Sequence, residues 1–188
     1  MILYTGGMES TKQEKPTQMQ ELMQYCPRCG SAHLNIPNEK NMECLDCGFD
    51  LYWNPVCATA VIVQRTNGDI LLVKRAKDPA KGTWDLPGGF ADFGENFEDA
   101  ARREIQEELS ITLSHFEYLG SFPNVYAYKD ISYQTIDVVL IADVGDVEID
   151  LETDELLDFS WQNPKNLDLK TVGLMSIQAA LKAYCQNL

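Results

Sequence analysis

Three glutamates in one short stretch, Glu104, Glu107 and Glu108, have the spacing to bind a metal ion together. On a helix, residues at i, i+3 and i+4 lie on one side, so these carboxylates would share a patch. Like charges crowded in this way repel one another unless a cation lies among them. Hard divalent cations such as Mg²⁺ prefer oxygen ligands and are usually held by a few carboxylates together with substrate phosphates. The spacing therefore predicts a divalent metal site on a helix.

The residues around these glutamates predict the elements that must position them. Apolar residues recur every four positions and give a helix one stripe for packing: Phe97, Ala101, Ile105 and Leu109. Before the helix, Gly88 and Gly89 predict a turn whose backbone can approach substrate phosphates closely. A solvated acidic helix face is the alternative interpretation of these charges, but it leaves Arg103 and the glycines unexplained.

Taken together, this stretch resembles the Nudix box, G-x5-E-x7-R-E-U-x-E-E-x-G-U, where U is an apolar residue. The matching residues are Gly89, Glu95, Arg103, Glu104, Ile105, Glu107, Glu108 and Ile111. One position departs, because Ser110 stands where the motif has its second glycine. That glycine ends the helix in a left-handed conformation. A serine there is expected to cost about 1 kcal/mol or to shift the helix end, but it removes no metal ligand.

The Nudix resemblance implies an α/β fold, a Nudix α/β/α sandwich with a mixed sheet between helices. It implies hydrolysis of the pyrophosphate bond of a nucleoside diphosphate derivative, with Mg²⁺ or Mn²⁺ assisting attack of water on one phosphorus. A nucleoside monophosphate is released. Arg103 is expected to pair with Glu95 and fix its rotamer. The general base is expected to be Glu107 or Glu155, because neither of the two histidines lies in a motif.

Two C-x2-C pairs near the N-terminus predict a second metal site. Its ligands are Cys26, Cys29, Cys44 and Cys47. Each pair points two thiolates at one centre, and two pairs complete a closed tetrahedral site typical of structural zinc. So small a segment cannot bury much of a core, and metal binding would supply the missing folding energy. Two disulfides are the alternative, which the lack of a recognisable secretory signal disfavours.

The order of ribbon and box resembles the zinc-ribbon Nudix hydrolases, which include the NADH diphosphatases. The expected division is an N-terminal lead-in at 1–24, a zinc ribbon at 25–52 and a Nudix hydrolase domain at 56–188. The resemblance also implies a homodimer and a small-molecule nucleotide substrate. However, the S-Q-P-W-P-F-P-x-S motif of the NADH diphosphatases, associated with dinucleotide recognition, is absent from residues 121–126. ADP-ribose, FAD or another nucleoside diphosphate derivative therefore stands beside NADH as an expected substrate.

The resemblance assigns site residues of three kinds. Its catalytic residues are Glu107, Glu104, Arg103 and Glu155, and its substrate-binding residues are Gly88, Gly89 and Glu95. Its Mg²⁺ or Mn²⁺ ligands are Glu104, Glu107, Glu108 and Glu155. Glu155 is included because residues 155–161 resemble an acid-plus-tryptophan segment that supplies a further metal-binding glutamate in the zinc-ribbon group.

The remaining strands and helices are predicted from periodicity and turn signals. Residues 57–63 and 70–73 predict strands joined at an Asn-Gly hairpin signal. Residues 112–119 and 133–144 also predict strands, and the second holds an apolar run suited to a strand covered on both faces. The aromatic-rich segment 120–128 is interpreted as too irregular for a plain strand. An apolar stripe predicts a C-terminal helix: Leu174, Ile177, Leu181 and Tyr184.

The net charge of −14 over 188 residues limits the partners we expect. Phosphate backbones and anionic membranes require a basic surface, so we expect neither a nucleic acid nor a membrane partner. Apolar runs are of strand length and the N-terminus lacks a signal peptide pattern, which predicts a cytoplasmic protein. Two alternative functions are also compatible with a Nudix domain. One is a nucleotide-sensing regulatory relative, and the other is a hydrolase that removes nucleotide caps from RNA.

Overall fold

The computed structural model describes residues 17–38 and 40–188. Residues 1–16 of the predicted lead-in lie outside the described residues. The described part of the lead-in contains a short strand, β1 (Thr17–Gln18), and a one-turn helix, α1 (Met19–Leu22). No helix in the described part of the chain is long and apolar enough to span a bilayer.

A small antiparallel sheet follows, built from three strands around the cysteine pairs. Its strands are β2 (Leu34–Asn35), β3 (Asn41–Cys44) and β4 (Asp50–Tyr52). Gly30 and Gly48, one after each cysteine pair, have φ of +76° and +67°. Their N–H groups donate to the carbonyls of Cys26 and Cys44, at 2.8 and 2.9 Å. A left-handed residue at each position closes the turn tightly, and glycine adopts that conformation without a Cβ clash.

The larger sheet is mixed. Its main strands are β5 (Val56–Arg65), β6 (Ile70–Arg75), β7 (Trp84–Asp85), β8 (Glu117–Tyr128), β9 (Ile131–Val144) and β10 (Leu156–Gln162). Strand β5 runs parallel to β9 along its whole length, while β8 is antiparallel to β9 on the other side. Strand β10 is antiparallel to β6, and β1 adds to β9 in parallel. This mixture of directions confirms the predicted sheet.

Two helices cover opposite faces of this sheet, α2 (Phe97–Leu109) and α3 (Met175–Gln186). Side chains alternate along β5, so Val61 and Val63 pack in the core beneath α2. Ala60 and Ile62 pack in the core beneath α3. The same alternation along β9 buries the predicted apolar run on both faces. The α/β/α sandwich expected from the sequence is therefore confirmed. Short 3₁₀ turns at Pro164–Asn166 and Leu169–Thr171 connect β10 to α3.

The predicted strand at 133–144 agrees with β9, but the predicted boundaries of the strand before it were wrong. Residues 112–116 are not a strand, and β8 begins at Glu117 and runs through the segment that we interpreted as irregular. Pro123 lies inside β8, opposite Ile136 of β9. Among the described strands β8 pairs with β9 alone, and an edge strand tolerates a proline because one row of its N–H groups has no ladder to join.

Candidate active site

A cavity of about 460 Å³ opens where β5, α2, β8, β9 and α3 meet. An acidic part of its wall carries Glu104, Glu108 and Glu155. A second part, from β8 and β9, carries Asn124, Thr135 and Asp137. Three further predicted site residues also line the cavity: Gly88, Gly89 and Arg103. The fold thus brings most of the predicted site residues to one cavity. Glu95 and Glu107 lie outside its lining.

Burial makes the two lining glutamates of α2 costly to ionise. Glu108 is 7% exposed, and its burial raises the pKa well above its ordinary value, although the N–H of Gly88 lowers it. Burial also raises the pKa of Glu104, against the lowering effect of Arg103. The nearby Glu155 carboxylate raises both pKa values further. A cation among these groups would relieve the cost of their charges, so this oxygen donor set fits a hard divalent metal ion.

Each lining glutamate already has its own hydrogen-bond partner. Glu108 Oε2 accepts from the N–H of Gly88 at 2.9 Å. Glu155 Oε1 accepts from Lys77 Nζ at 2.7 Å. Groups of three or more His, Cys, Asp or Glu side chains could bind a metal ion together. Among residues 17–38 and 40–188, the four cysteines are the only such group whose ligand atoms all lie within 4.8 Å of one another. The glutamates therefore surround the cavity without being gathered to coordination distance.

Arg103 connects the acidic wall to the turn before α2. Its Nε and Nη2 donate to the two carboxylate oxygens of Glu95 at 2.8 and 2.9 Å, as the sequence predicted. Nη1 donates to Glu104 at 2.7 Å and to Glu107 at 3.2 Å, and Nη2 also reaches the carbonyl of Phe90. The hydrogen bonds from Arg103, followed by that from the N–H of Asp92, lower the pKa of Glu95 to about 2. The predicted contact of Glu95 with substrate stays a prediction.

The two glycines make room for protein groups on either side of the turn. A Cβ on Gly88, which has φ of +140°, would lie 2.3 Å from the carbonyl oxygen of Thr59. A Cβ on Gly89 would lie 2.5 Å from the carboxylate of Glu104. Glycine is therefore required for the turn to pack on β5 and for Glu104 to lie against the backbone. The predicted approach of phosphates to these glycines stays a prediction.

The geometry of helix, turn and carboxylates agrees with a comparison of sequences. Residues 54–179 match the family model described as the NUDIX domain. The chain belongs to the Nudix family. In this Nudix domain, the helix that carries the box is α2.

Relatives of this Nudix chain include enzymes from several bacteria. One is the "NAD-capped RNA hydrolase NudC" of Haemophilus influenzae (strain PittEE), 30% identical over 139 residues. That alignment covers 73% of this chain and 50% of the relative, so the chain spans about half the length of that curated protein.

Solved structures share the fold. A NUDIX hydrolase from Nitrosomonas europaea has a TM-score of 0.66 at 26% identity, covering 88% of this chain and 92% of that one. A MutT NUDIX hydrolase from Burkholderia pseudomallei has a TM-score of 0.60 at 29% identity, covering 69% and 98% respectively. The family resemblance drawn from the box is therefore confirmed.

The departure from the Nudix box at Ser110 leaves the end of α2 in place. Ser110 has φ of 56°, in the left-handed region, and its N–H donates to the carbonyl of Gln106 at 3.1 Å. The helix ends at Leu109, so the serine has not shifted the helix end. Its cost is conformational, because a left-handed residue with a Cβ is disfavoured.

Sequence reasoning missed the polar residues that β6, β7 and β9 bring to the Nudix cavity. Arg75 Nη1 pairs with the buried Asp85 at 2.7 Å. Asp137 accepts from the hydroxyls of Ser176 and Thr135. Burial raises the pKa of both aspartates. Asp137 directly precedes the apolar run of β9. A charged residue beside a run of buried apolar residues is unusual, and it was the signal in the sequence that could have identified Asp137 as a cavity residue.

The four cysteines near the N-terminus meet at one point. All are free thiols, and their Sγ atoms lie within 4.8 Å of one another. The Sγ atoms of Cys26 and Cys47 are 3.8 Å apart, and those of Cys29 and Cys44 are 3.6 Å apart. Tetrahedral metal–sulfur bonds of about 2.3 Å separate the sulfurs by about 3.8 Å, whereas a disulfide bond is about 2.05 Å. The spacing fits zinc and not the disulfide alternative.

The thiols of this cluster also differ in acidity. Burial raises the pKa of Cys26, but hydrogen bonds from the N–H groups of Cys29 and Arg28 outweigh it and bring the pKa to about 7. Burial, followed by its hydrogen bond with Cys29, raises the pKa of Cys47 to about 12. A second thiolate beside the first is therefore costly without a cation, which again fits a metal site.

Proposed function

We propose that this chain hydrolyses the pyrophosphate bond of a nucleoside diphosphate derivative and releases a nucleoside monophosphate. The observation that carries the proposal is the position of Glu104, Glu108 and Glu155 around one cavity of nucleotide size. Similarity to a NAD-capped RNA hydrolase supports an NAD-type dinucleotide as the substrate. ADP-ribose and FAD stay in the proposal because they present the same pyrophosphate.

The proposed metal ligands are Glu104, Glu107, Glu108 and Glu155, with Mg²⁺ or Mn²⁺ as the ion. When bound, the ion would neutralise charge on the phosphate oxygens and lower the pKa of the attacking water. In the absence of substrate, Lys77 would balance the negative charge of Glu155, to which it donates at 2.7 Å. Arg103 would do the same for Glu104, also at 2.7 Å. Glu108 is oriented by the hydrogen bond from the N–H of Gly88, without Lys77 or Arg103.

We assign the general base to Glu155 rather than Glu107. Glu155 lines the cavity, and its backbone carbonyl accepts from the N–H of Ala76 at 2.8 Å, which holds it at the start of β10. The side chains of Glu155 and Glu107 are similarly exposed, at 54% and 60%, but Glu107 lies outside the lining. A base must reach the water that attacks phosphorus, and a residue outside the cavity is badly placed to do so.

The proposed division of the chain keeps the ribbon separate from catalysis. Residues 25–52 would hold structural zinc through Cys26, Cys29, Cys44 and Cys47, and residues 56–188 would form the hydrolase domain. Four cysteine ligands leave no open position for a water molecule, so this metal would stabilise the fold only. A homodimer stays a prediction from the resemblance.

The test is Mg²⁺-dependent release of nucleoside monophosphate from ADP-ribose, NADH and FAD. Glu155→Gln is expected to lower kcat by about 10²- to 10⁴-fold, the usual range for losing a general base. Glu107→Gln is expected to lose less. Glu98→Gln, on the same helix but outside the cavity, is the matched control. If the wild type and the three variants all bound substrate equally and none turned it over, the result would support the nucleotide-sensing alternative instead.

The name of the NudC relative gives a second candidate, the end of a capped RNA. This RNA candidate conflicts with our expectation of no nucleic acid partner, which rests on the net charge of −14. Free NADH and a short NAD-capped RNA should therefore be compared in the same assay. Cleavage of free NADH alone would support the charge argument, whereas more efficient cleavage of the RNA would overturn it.

A further inference from the structure

Two buried polar groups lining the cavity lack hydrogen-bond partners among the described residues. They are Nδ2 of Asn124 and Oγ1 of Thr59, in residues that are 5% and 2% exposed. Buried polar groups in folded proteins are nearly always paired, because an unmade hydrogen bond costs free energy. An unpaired donor in the wall of a cavity is therefore positioned to bind a ligand.

Asn124 differs in this respect from the polar residues around it. It lies on β8 opposite Thr135 of β9. Thr135 donates to Asp137, which also accepts from Ser176 of α3, so these three side chains satisfy one another. The Asn124 amide nitrogen takes no part in that network. No hydrogen bond within the described residues therefore compensates for the burial of this nitrogen.

The same cavity also has apolar and aromatic side chains in its wall. Leu174 and Ile177, at the start of α3, line the cavity together with Phe90 and Tyr126. The rings of Phe90 and Tyr126 meet edge to face, with centroids 5.5 Å apart. Apolar and aromatic side chains with a few convergent polar groups are typical of small-molecule sites, and they suit a planar heteroaromatic group. Phosphates, by contrast, would need the metal ions that the acidic wall can hold.

We propose that Asn124 is the specificity residue for the planar end group of the substrate. Its carboxamide would pair with an edge that presents an acceptor beside a donor. A carboxamide makes such a bidentate pair with N7 and the 6-amino group of adenine. The carboxamide of nicotinamide presents the same chemistry. This inference rests on the proposed pyrophosphate hydrolysis and names the feature of the substrate that the cavity selects.

The decisive measurement is discrimination between two substrates with the same diphosphate and sugars. ADP-ribose has the paired edge, whereas IDP-ribose carries an oxygen in place of the 6-amino group. The wild-type ratio of kcat/KM, ADP-ribose over IDP-ribose, is expected to be about 10 or more, because a site that hydrogen-bonds a group rejects its absence. Asn124→Leu is expected to bring that ratio close to one. Asn124→Ala provides the same test should the leucine variant fail to fold.

Gln134→Ala is the matched control, because it removes an amide from an exposed position of β9 outside the cavity lining. It is expected to keep the wild-type ratio. A ratio that is unchanged in Asn124→Leu, with turnover retained, would overturn the assignment of Asn124 to adenine and leave nicotinamide to the binding experiment below. If the wild type turned over none of the substrates, the proposed function itself would be overturned.

Calorimetric binding of product-sized ligands tests Asn124 without any turnover. AMP, IMP and nicotinamide mononucleotide are compared on the wild type and on Asn124→Leu. Weaker AMP binding in the variant, with IMP unchanged, identifies adenine as the group that Asn124 contacts. Weaker binding of nicotinamide mononucleotide alone identifies nicotinamide. Equal affinities of wild type and variant for all three ligands would contradict the proposal.

Discussion

Arg103 shows how one residue organises the acidic side of the cavity. Its guanidinium holds Glu95 with two parallel hydrogen bonds and Glu104 with a third. Glu95 also accepts from the N–H of Asp92, which ties the turn to the helix. An arginine suits this role because its planar fork offers several fixed donors and stays charged. Arg103 is thus a positioning residue for two half-buried carboxylates.

The Glu95 contacts make a prediction about stability against pH. The folded pKa of Glu95 is about 2, below its ordinary value of 4.5. A depressed pKa contributes stability that is present above pH 4.5 and is lost as pH falls towards 2. In urea unfolding, Glu95→Gln is expected to be less stable than the wild type at pH 7, with the difference shrinking across that window. A difference independent of pH would contradict a charged role for Glu95.

At the scale of elements, the described ribbon has a very small buried core. Its three strands are short, and Met42, at 0% exposure, is the one buried apolar side chain of the described ribbon besides its cysteines. A segment with so small a core depends on metal binding for its folding free energy. The helix α2, in contrast, is anchored by buried Ala101, Ile105 and Leu109. The two elements proposed to bind metal therefore differ in how much buried core stabilises them.

Replacing a zinc ligand is expected to unfold the ribbon. The wild type should release one zinc ion per chain on treatment with a thiol reagent, measured with a chromogenic chelator. Cys44→Ser should bind zinc weakly and expose the ribbon to proteolysis. Cys57→Ser is the control, because Cys57 is an exposed free thiol outside the cluster. Full zinc retention by the Cys44 variant would show that the four sulfurs do not form the site.

At the scale of the whole molecule, one sheet supports two hydrophobic layers. Ile105 lies in the layer under α2 and Leu181 in the layer under α3, and both are fully buried. The strand β5 contributes alternate side chains to both layers, so neither layer can be lost without disturbing the other. Residues of both layers, such as Val73 and Ile177, line the cavity, which makes its shape a property of the whole sandwich.

Truncation in either layer is therefore expected to destabilise the same folded unit. Ile105→Ala and Leu181→Ala should each cost about 2–5 kcal/mol, the range for large-to-small changes in cores. Unfolding followed by circular dichroism and by tryptophan fluorescence should give coincident transitions for each variant. Transitions that separate in only one variant would mean that the layers unfold independently.

Much of the site could be predicted from residues close together in the chain. The i, i+3, i+4 glutamates and the glycine turn are local patterns, and local geometry alone places them on one helix and one turn. The two cysteine pairs are likewise recognisable by spacing. Segment 120–128 was misread because its proline and glycine oppose a strand locally, whereas pairing with β9 keeps it extended.

The sequence by itself determined the family, the sandwich and the residues that could hold metal ions, because these depend on periodicity and fixed spacing. The resemblance assigned Glu155 to the site of the α2 glutamates, but only the tertiary structure shows how it reaches their cavity, through the pairing of β6 with β10. Only the tertiary structure buried Asn124 in the wall of the same cavity. Contacts between distant segments depend on strand register, and a residue's own neighbours in the chain carry little information about that register.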